Sequence, residues 1–138
     1  MKIKYLKGSP YYLEDVLGFD LSERSRDGKI TYLLLNQPPI CNFSCRRCFM
    51  HQRKNIIDQV GLSVAEYNKI IDDAERNGVR CLEISGEGEP MMSKNIIDII
   101  KFSNKKKLIT TLITNGSWLT VDFIRFCFEN NVTLVVSL

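Results

Sequence analysis

From Ile30 to Leu138 the chain alternates short apolar runs with amphipathic stretches, a pattern that few folds accept. Ile30–Asn36 reads as a strand closed by Pro38-Pro39, which lack N–H donors and cannot extend a ladder. Ser63-Val64-Ala65-Glu66 is a capping box, in which the serine and glutamate side chains satisfy orphan backbone donors reciprocally. Leu62 and Tyr67 take hydrophobic-staple positions, Tyr67, Ile70, Ile71 and Ala74 form one apolar stripe, and Gly78 supplies the stop. Cys81–Ser85 reads as a second strand with Ser85-Gly86-Glu87-Gly88-Glu89-Pro90 as its exit. Ile96, Ile97, Ile99 and Ile100 mark a second helix that runs out in Lys105-Lys106-Lys107, a charge run suited to solvating the helix and complementing its carbonyl end. Leu108–Thr114 is a third strand leaving through Asn115-Gly116. Thr120 caps a third helix through about Asn130, with Asn131 as its stop, and Val132–Ser137 is a fourth strand.

Strands and helices alternating over short connections imply a parallel sheet built by right-handed crossovers. The fourth strand carries Leu134-Val135-Val136 with no helix after it, and a raw apolar edge of that kind invites aggregation. The expectation is therefore an α/β fold: a partial (β/α) TIM-type barrel over residues 30–138, with four parallel strands and three helices, truncated after the fourth strand. Residues 1–29 lack a clean period and read as an N-terminal extension packed onto it.

Hydrophobic residues at 44% and charged residues at 25% exclude a disordered chain and a disulfide-dense miniprotein. A net charge of +3 is too mild to argue for DNA or for an anionic membrane surface. No run approaches the ~20 apolar residues of a membrane span, and the charged N-terminus leads into no apolar signal region. A cytoplasmic location is the expectation. In a reduced compartment the five cysteines are metal ligands, redox groups or core residues rather than disulfides. Cys81, at a strand start, and Cys127, among Phe123, Phe126 and Phe128, read as small core hydrophobes. Trp118, Met91 and Met92 could line a substrate opening, with core packing as the default.

The chemistry-bearing residues gather at one end of the expected sheet. Cys41, Cys45 and Cys48 follow the first strand, Gly88 and Glu89 the second, Asn115 the third, and Ser137 ends the fourth. Carboxyl ends of parallel strands are where α/β folds place ligands and catalysis. Three thiols on one loop suit a metal centre that prefers sulfur. A 4Fe–4S cube with three protein ligands keeps one iron open, whereas His51 could complete a closed Cys3His zinc site, a non-catalytic module. The second loop carries Glu87 and Glu89, which repel phosphate, and Met91 stands where a dinucleotide fingerprint needs its third glycine. Carboxylates and main-chain carbonyls suit a cation instead.

Cys41-x3-Cys45-x2-Cys48 after the first strand resembles the signature of the radical S-adenosylmethionine (AdoMet) superfamily. Gly-Glu-Gly-Glu-Pro is similar to that family's Gly-Gly-Glu element, and Thr114-Asn115-Gly116 and the serine ending the fourth strand match its layout. The resemblance implies an enzyme in which Cys41, Cys45 and Cys48 ligate three irons of a 4Fe–4S cluster. AdoMet would chelate the fourth iron through its amino and carboxylate groups. One electron from the reduced cluster would then cleave AdoMet to methionine and a 5′-deoxyadenosyl radical that abstracts hydrogen from a substrate. It places Gly88 and Glu89 at the AdoMet amino group, Ser137 near its carboxylate or ribose, and Asn115 near AdoMet or substrate. It also implies a flavodoxin- or ferredoxin-type one-electron reductant and a peptide, RNA or small-molecule substrate. Two features depart from the family pattern. Arg47 stands where an aromatic residue usually precedes the third cysteine, with Phe49 after it, and four strands are present of the family's six.

Overall fold

The computed structural model describes residues 28, 30–48 and 61–137. Expectations for the N-terminal extension, Phe49 and His51 lie outside the described residues. Among the described residues four strands and three helices alternate: β1 (Tyr32–Gln37), α1 (Val64–Arg76), β2 (Cys81–Gly86), α2 (Ile96–Lys105), β3 (Ile109–Thr114), α3 (Val121–Glu129) and β4 (Val132–Val136). A short 3-10 turn, Pro90–Met92, links β2 to α2. All pairings are parallel and the sheet order is β1-β2-β3-β4.

Local chemistry sets the helix ends. The Ser63 hydroxyl accepts from the Glu66 N–H while the Glu66 carboxylate accepts from the Ser63 N–H at 2.7 Å, completing the expected box. Thr120 Oγ1 accepts from Phe123 N–H at 3.1 Å and so starts α3. Gly78, Lys107 and Asn131 take positive φ just past the three helices, the left-handed step that ends a helix. Lys106 has a use beyond solvation. Its ammonium pairs with Asp72 of α1 and lies 5.6 Å from the Phe102 ring centroid, tying α2 to α1.

These three helices cover the same side of the sheet. Leu35, Leu82, Ile84 and Leu112 point there and bury against Tyr67, Ile71, Ile96, Ile99 and Ile100, with Phe123, Phe126 and Leu134 packed alongside. Each fully buried aliphatic side chain contributes about 1.5–3 kcal/mol, so this one layer carries most of the stability. Helices on one face of a sheet whose strands follow in sequence order describe singly wound barrel geometry; a doubly wound sheet has helices on both faces. The opposite face bears a more polar row, Leu34, Glu83, Thr111 and Thr133 in successive register. There the Tyr32 hydroxyl donates to Glu83. Burial and this bond both push the Tyr32 phenol far above its ordinary value.

β1 ends at Gln37, one residue beyond the sequence expectation, because its register partner is Gly86. A Cβ at Gly86 would stand 2.8 Å from Gln37 N, so only glycine lets the two backbones stay paired at that point. The apolar β4 sits at a sheet edge, half-buried, with Val136 exposed. Among the described residues no helix is long and apolar enough to cross a membrane.

Candidate functional site

The carboxyl ends of β1, β2 and β3 are knitted into one rim by a single buried carboxylate. Glu89 is 3% exposed. Its N–H donates to Ile40 O at 2.7 Å, which fixes the β1 exit loop one residue before Cys41. Its Oε1 accepts from the Thr114 hydroxyl at 2.5 Å and from Met91 N–H at 3.1 Å, and its Oε2 accepts from Asn115 N–H at 2.7 Å. Charge-assisted bonds of this kind are about twice as strong as neutral ones, and together they offset the cost of burying the charge. Among the described residues no lysine or arginine pairs with Glu89.

Gly88 permits that brace. A Cβ on it would lie 2.3 Å from Ile40 O, 2.5 Å from Ile40 N and 2.6 Å from Pro38 O. The β1 and β2 exits therefore touch backbone to backbone at Gly88, and the cysteine loop starts from that contact.

Cys41, Cys45 and Cys48 all stand on this loop as free thiols, the first two exposed and the third half-buried. Cys48 N–H donates to Cys45 O at 3.0 Å, a tight turn that keeps the second and third thiols on one short arc. Among the described residues no three Cys, His, Asp or Glu side chains gather around a single-ion position. A cube gives each thiolate to a different iron, so its ligands need not converge on one point. Three accessible thiols flanked by Arg46 and Arg47, both exposed, are a donor set that fits an iron–sulfur cluster. Cys81 and Cys127 are not part of it. Both are 1% exposed, and burial pushes each thiol up to about 11.

Asn115 lies across the rim from Cys41. Its Nδ2 stands 3.0 Å from Asn42 Oδ1 and 3.8 Å from Cys41 Sγ. Ser137 follows β4 beside the same edge, its N–H donating to Thr114 O at 2.9 Å and its side chain exposed. The structure thus brings the ends of the cysteine, Gly-Glu and Asn-Gly segments together, with Ser137 at the margin. Two features differ from the sequence expectation. Trp118 is 53% exposed in the loop after β3 rather than packed in the core. The Glu89 carboxylate, which by composition alone suited a cation directly, is occupied by protein donors. No sequence signal marks those partners, since Thr114 and Asn115 lie a full helix and strand further along. A cavity of about 360 Å³ lies beside the rim, walled by Pro38, Ile40, Glu89 and Met92 among others, and none of its lining residues is a cysteine.

The sequence shares 28% identity over 105 residues with the tungsten-containing aldehyde ferredoxin oxidoreductase cofactor-modifying protein of Pyrococcus furiosus, covering 75% of this chain and 29% of that protein. It is 32% identical over 93 residues to a GTP 3′,8-cyclase of Ectopseudomonas mendocina, covering 66% of this chain and 28% of the cyclase. The chain thus spans less than a third of the length of either curated relative. In fold it matches Streptococcus suis SuiB bound to S-adenosylmethionine with a TM-score of 0.68 at 21% identity, covering 97% of this chain and 31% of SuiB. The sequence model of the Radical SAM superfamily matches residues 35–138, from within β1 across the cysteine loop to the last residue. The family works with a 4Fe–4S cluster and AdoMet, and its members similar to this chain are enzymes, among them a cyclase, a synthase and a dehydratase. A cysteine loop, a glycine-gated second loop and a singly wound parallel sheet thus stand together in a chain that belongs to the radical SAM superfamily.

Proposed function

We propose that this chain carries the cofactor-binding rim of a radical AdoMet enzyme, with Cys41, Cys45 and Cys48 as the iron ligands of a 4Fe–4S cluster. The observation that carries the reading is the Glu89 brace. It joins the loop bearing three free thiols to the ends of β2 and β3, so that the cysteine loop and the Gly88-Glu89 turn leave the sheet from one shared contact. When bound, the cluster and AdoMet supply one-electron reductive cleavage of a sulfonium, which starts hydrogen-atom abstraction from a substrate.

The residues of the chain have separate tasks in this reading. The three thiols deprotonate to bind iron, and Arg46 and Arg47 place positive charge beside a centre that gains negative charge on reduction. Gly88 and Glu89 would receive the AdoMet ammonium, the Gly88 carbonyl as an acceptor and the Glu89 carboxylate as a group that favours a cation beside it. A cation is favoured there because Glu89 has hydrogen-bond donors but no counter-ion among the described residues. Ser137 offers its exposed hydroxyl to the carboxylate or ribose end of the cofactor, and Asn115 lies at the boundary between cofactor and cysteine loop. A one-electron donor protein completes the scheme.

Anaerobic reconstitution with iron and sulfide tests the ligand assignment. The parent chain is expected to bind about four irons with broad visible absorption near 400 nm. Single serine substitutions at Cys41, Cys45 and Cys48 should each abolish that absorption, whereas Cys127→Ser should retain it. Equal loading of the Cys45→Ser and parent chains would show that the cysteine loop is not the iron site.

A further inference from the structure

Three polar side chains beside the cysteine loop close a ring. Asn115 Nδ2 donates to Asn42 Oδ1 at 3.0 Å, Asn42 Nδ2 donates to Ser117 Oγ at 2.8 Å, and Ser117 Oγ donates to Asn115 Oδ1 at 2.6 Å. Ser117 N–H adds a second donor to the same Oδ1 at 2.9 Å, an Asx turn that holds the side chain in one rotamer. Two donors on Oδ1 decide which way the amide lies, and Nδ2 must therefore face the cysteine loop. The backbone is equally fixed, because Asn115 N–H is bound to the buried Glu89 carboxylate.

That fixed nitrogen stands 3.8 Å from Cys41 Sγ, and Phe43 N–H reaches the same sulfur at 3.4 Å. Among the described residues these are the N–H groups that reach a sulfur of the cysteine loop. A thiol is a weak acceptor, but the thiolate that iron binding requires is a strong one. Donors aimed at a ligating sulfur withdraw charge from it, stabilise the reduced cluster more than the oxidised one, and raise the reduction potential.

Resting on the reading of the three cysteines as cluster ligands, we propose that Asn115 is a positioning residue for Cys41: its Nδ2 donor, aimed by Asn42 and Ser117, holds the Cys41 sulfur and raises the potential of the cluster. Direct contact with AdoMet is the competing role. It is disfavoured because Oδ1 already accepts twice and Nδ2 is directed at Asn42 and Cys41.

The test compares the full chain with Asn115→Ser and Asn115→Ala after anaerobic reconstitution, with no AdoMet present. Serine keeps a short acceptor for the Ser117 turn and loses the reach to Cys41, so it separates the sulfur contact from the loop fold. Iron content is measured first, then the midpoint potential by redox titration followed by electron paramagnetic resonance, and in a separate final step AdoMet is titrated in to read its binding. Full iron loading, a more negative potential in both variants and altered g-values in Asn115→Ser are the expected results. An Asn115→Ser protein with full iron and the parental potential and spectrum overturns the proposal alone. So does an unshifted potential combined with weakened AdoMet binding, which would make Asn115 a cofactor contact. Failure of the parent chain itself to bind iron overturns the cysteine reading, and this inference with it.

Discussion

Gly88→Ala probes the contact from which the whole rim is built. The added methyl would meet three main-chain atoms, Ile40 O at 2.3 Å, Ile40 N at 2.5 Å and Pro38 O at 2.6 Å, and none of them can rotate aside. The two loops must part by about 1 Å before the contact becomes ordinary, and overpacking of that kind costs about 1–3 kcal/mol. Parting them also stretches the 2.7 Å bond from Glu89 N–H to Ile40 O, whose loss adds about 0.5–1.5 kcal/mol. The expected destabilisation is thus about 2–4 kcal/mol, a large share of the ~5–15 kcal/mol available to a domain of this kind. Urea unfolding of the apo chain reads it as a fall of about 1–2 M in midpoint at unchanged slope. Gly116→Ala is the comparison. There the backbone is left-handed at φ 78°, while the added Cβ meets side chains rather than backbone, Val136 at 3.0 Å and Leu119 at an ordinary 3.8 Å, so the penalty is mainly conformational, about 1–2 kcal/mol. Gly88 is not among the positive-φ glycines, which leaves contact as its sole penalty. A Gly88→Ala chain within ~0.5 kcal/mol of the parent would refute the reasoning, since surface changes without a mechanism fall in that range.

Alkylation of the native apo chain at mildly alkaline pH should label Cys41, Cys45 and Cys48 and spare Cys81 and Cys127, whose thiols are buried and pushed up to about 11; peptide mapping reads the sites. Ser63→Ala should cost about 1 kcal/mol by urea unfolding at neutral pH, through loss of the α1 cap. The bond to Ser63 N–H, then that to its hydroxyl, holds the Glu66 carboxyl below its ordinary value. Its contribution is therefore complete above the unfolded-state value and lost as pH falls through the folded one, and Ser63→Ala should weaken that acid-side dependence. Tyr32→Phe leaves Glu83 without its donor and should cost about 1–3 kcal/mol at neutral pH. Because burial, and then Glu83, raise the Tyr32 phenol, its stabilisation is present below the unfolded-state value and fades as pH climbs toward the folded one. Tyr32→Phe should therefore flatten the alkaline limb of the stability profile.

The parts of the fold that depend on near neighbours in the chain were legible. The box at Ser63 and Glu66, the Thr120 cap and the left-handed stop at Asn131 are all set within a few residues, and each element sits close to its expected bounds. The parallel order β1-β2-β3-β4 follows from alternation and crossover handedness, which are general rules rather than details of this chain. Contacts between distant loops were not legible. Glu89 meeting Thr114 and Asn115, or Asn115 meeting Asn42 and Cys41, joins residues that no periodicity relates. Gly88 illustrates the difference. Its place in a turn was readable, but the reason for it, the Ile40 backbone pressed against it, exists only in three dimensions. Lys106 and Trp118 departed from their default readings for the same reason, one drawn to Asp72 and the other left outside the core.

Electron paramagnetic resonance of the anaerobically reconstituted, dithionite-reduced chain, recorded with and without AdoMet, tests the central claim most directly. A 4Fe–4S signal whose shape changes when AdoMet is added is the predicted result, because in the proposed reading Cys41, Cys45 and Cys48 would leave one iron open to AdoMet beside the Gly88-Glu89 rim. A cluster signal indifferent to AdoMet, or a colourless chain that binds zinc and no iron, would contradict it.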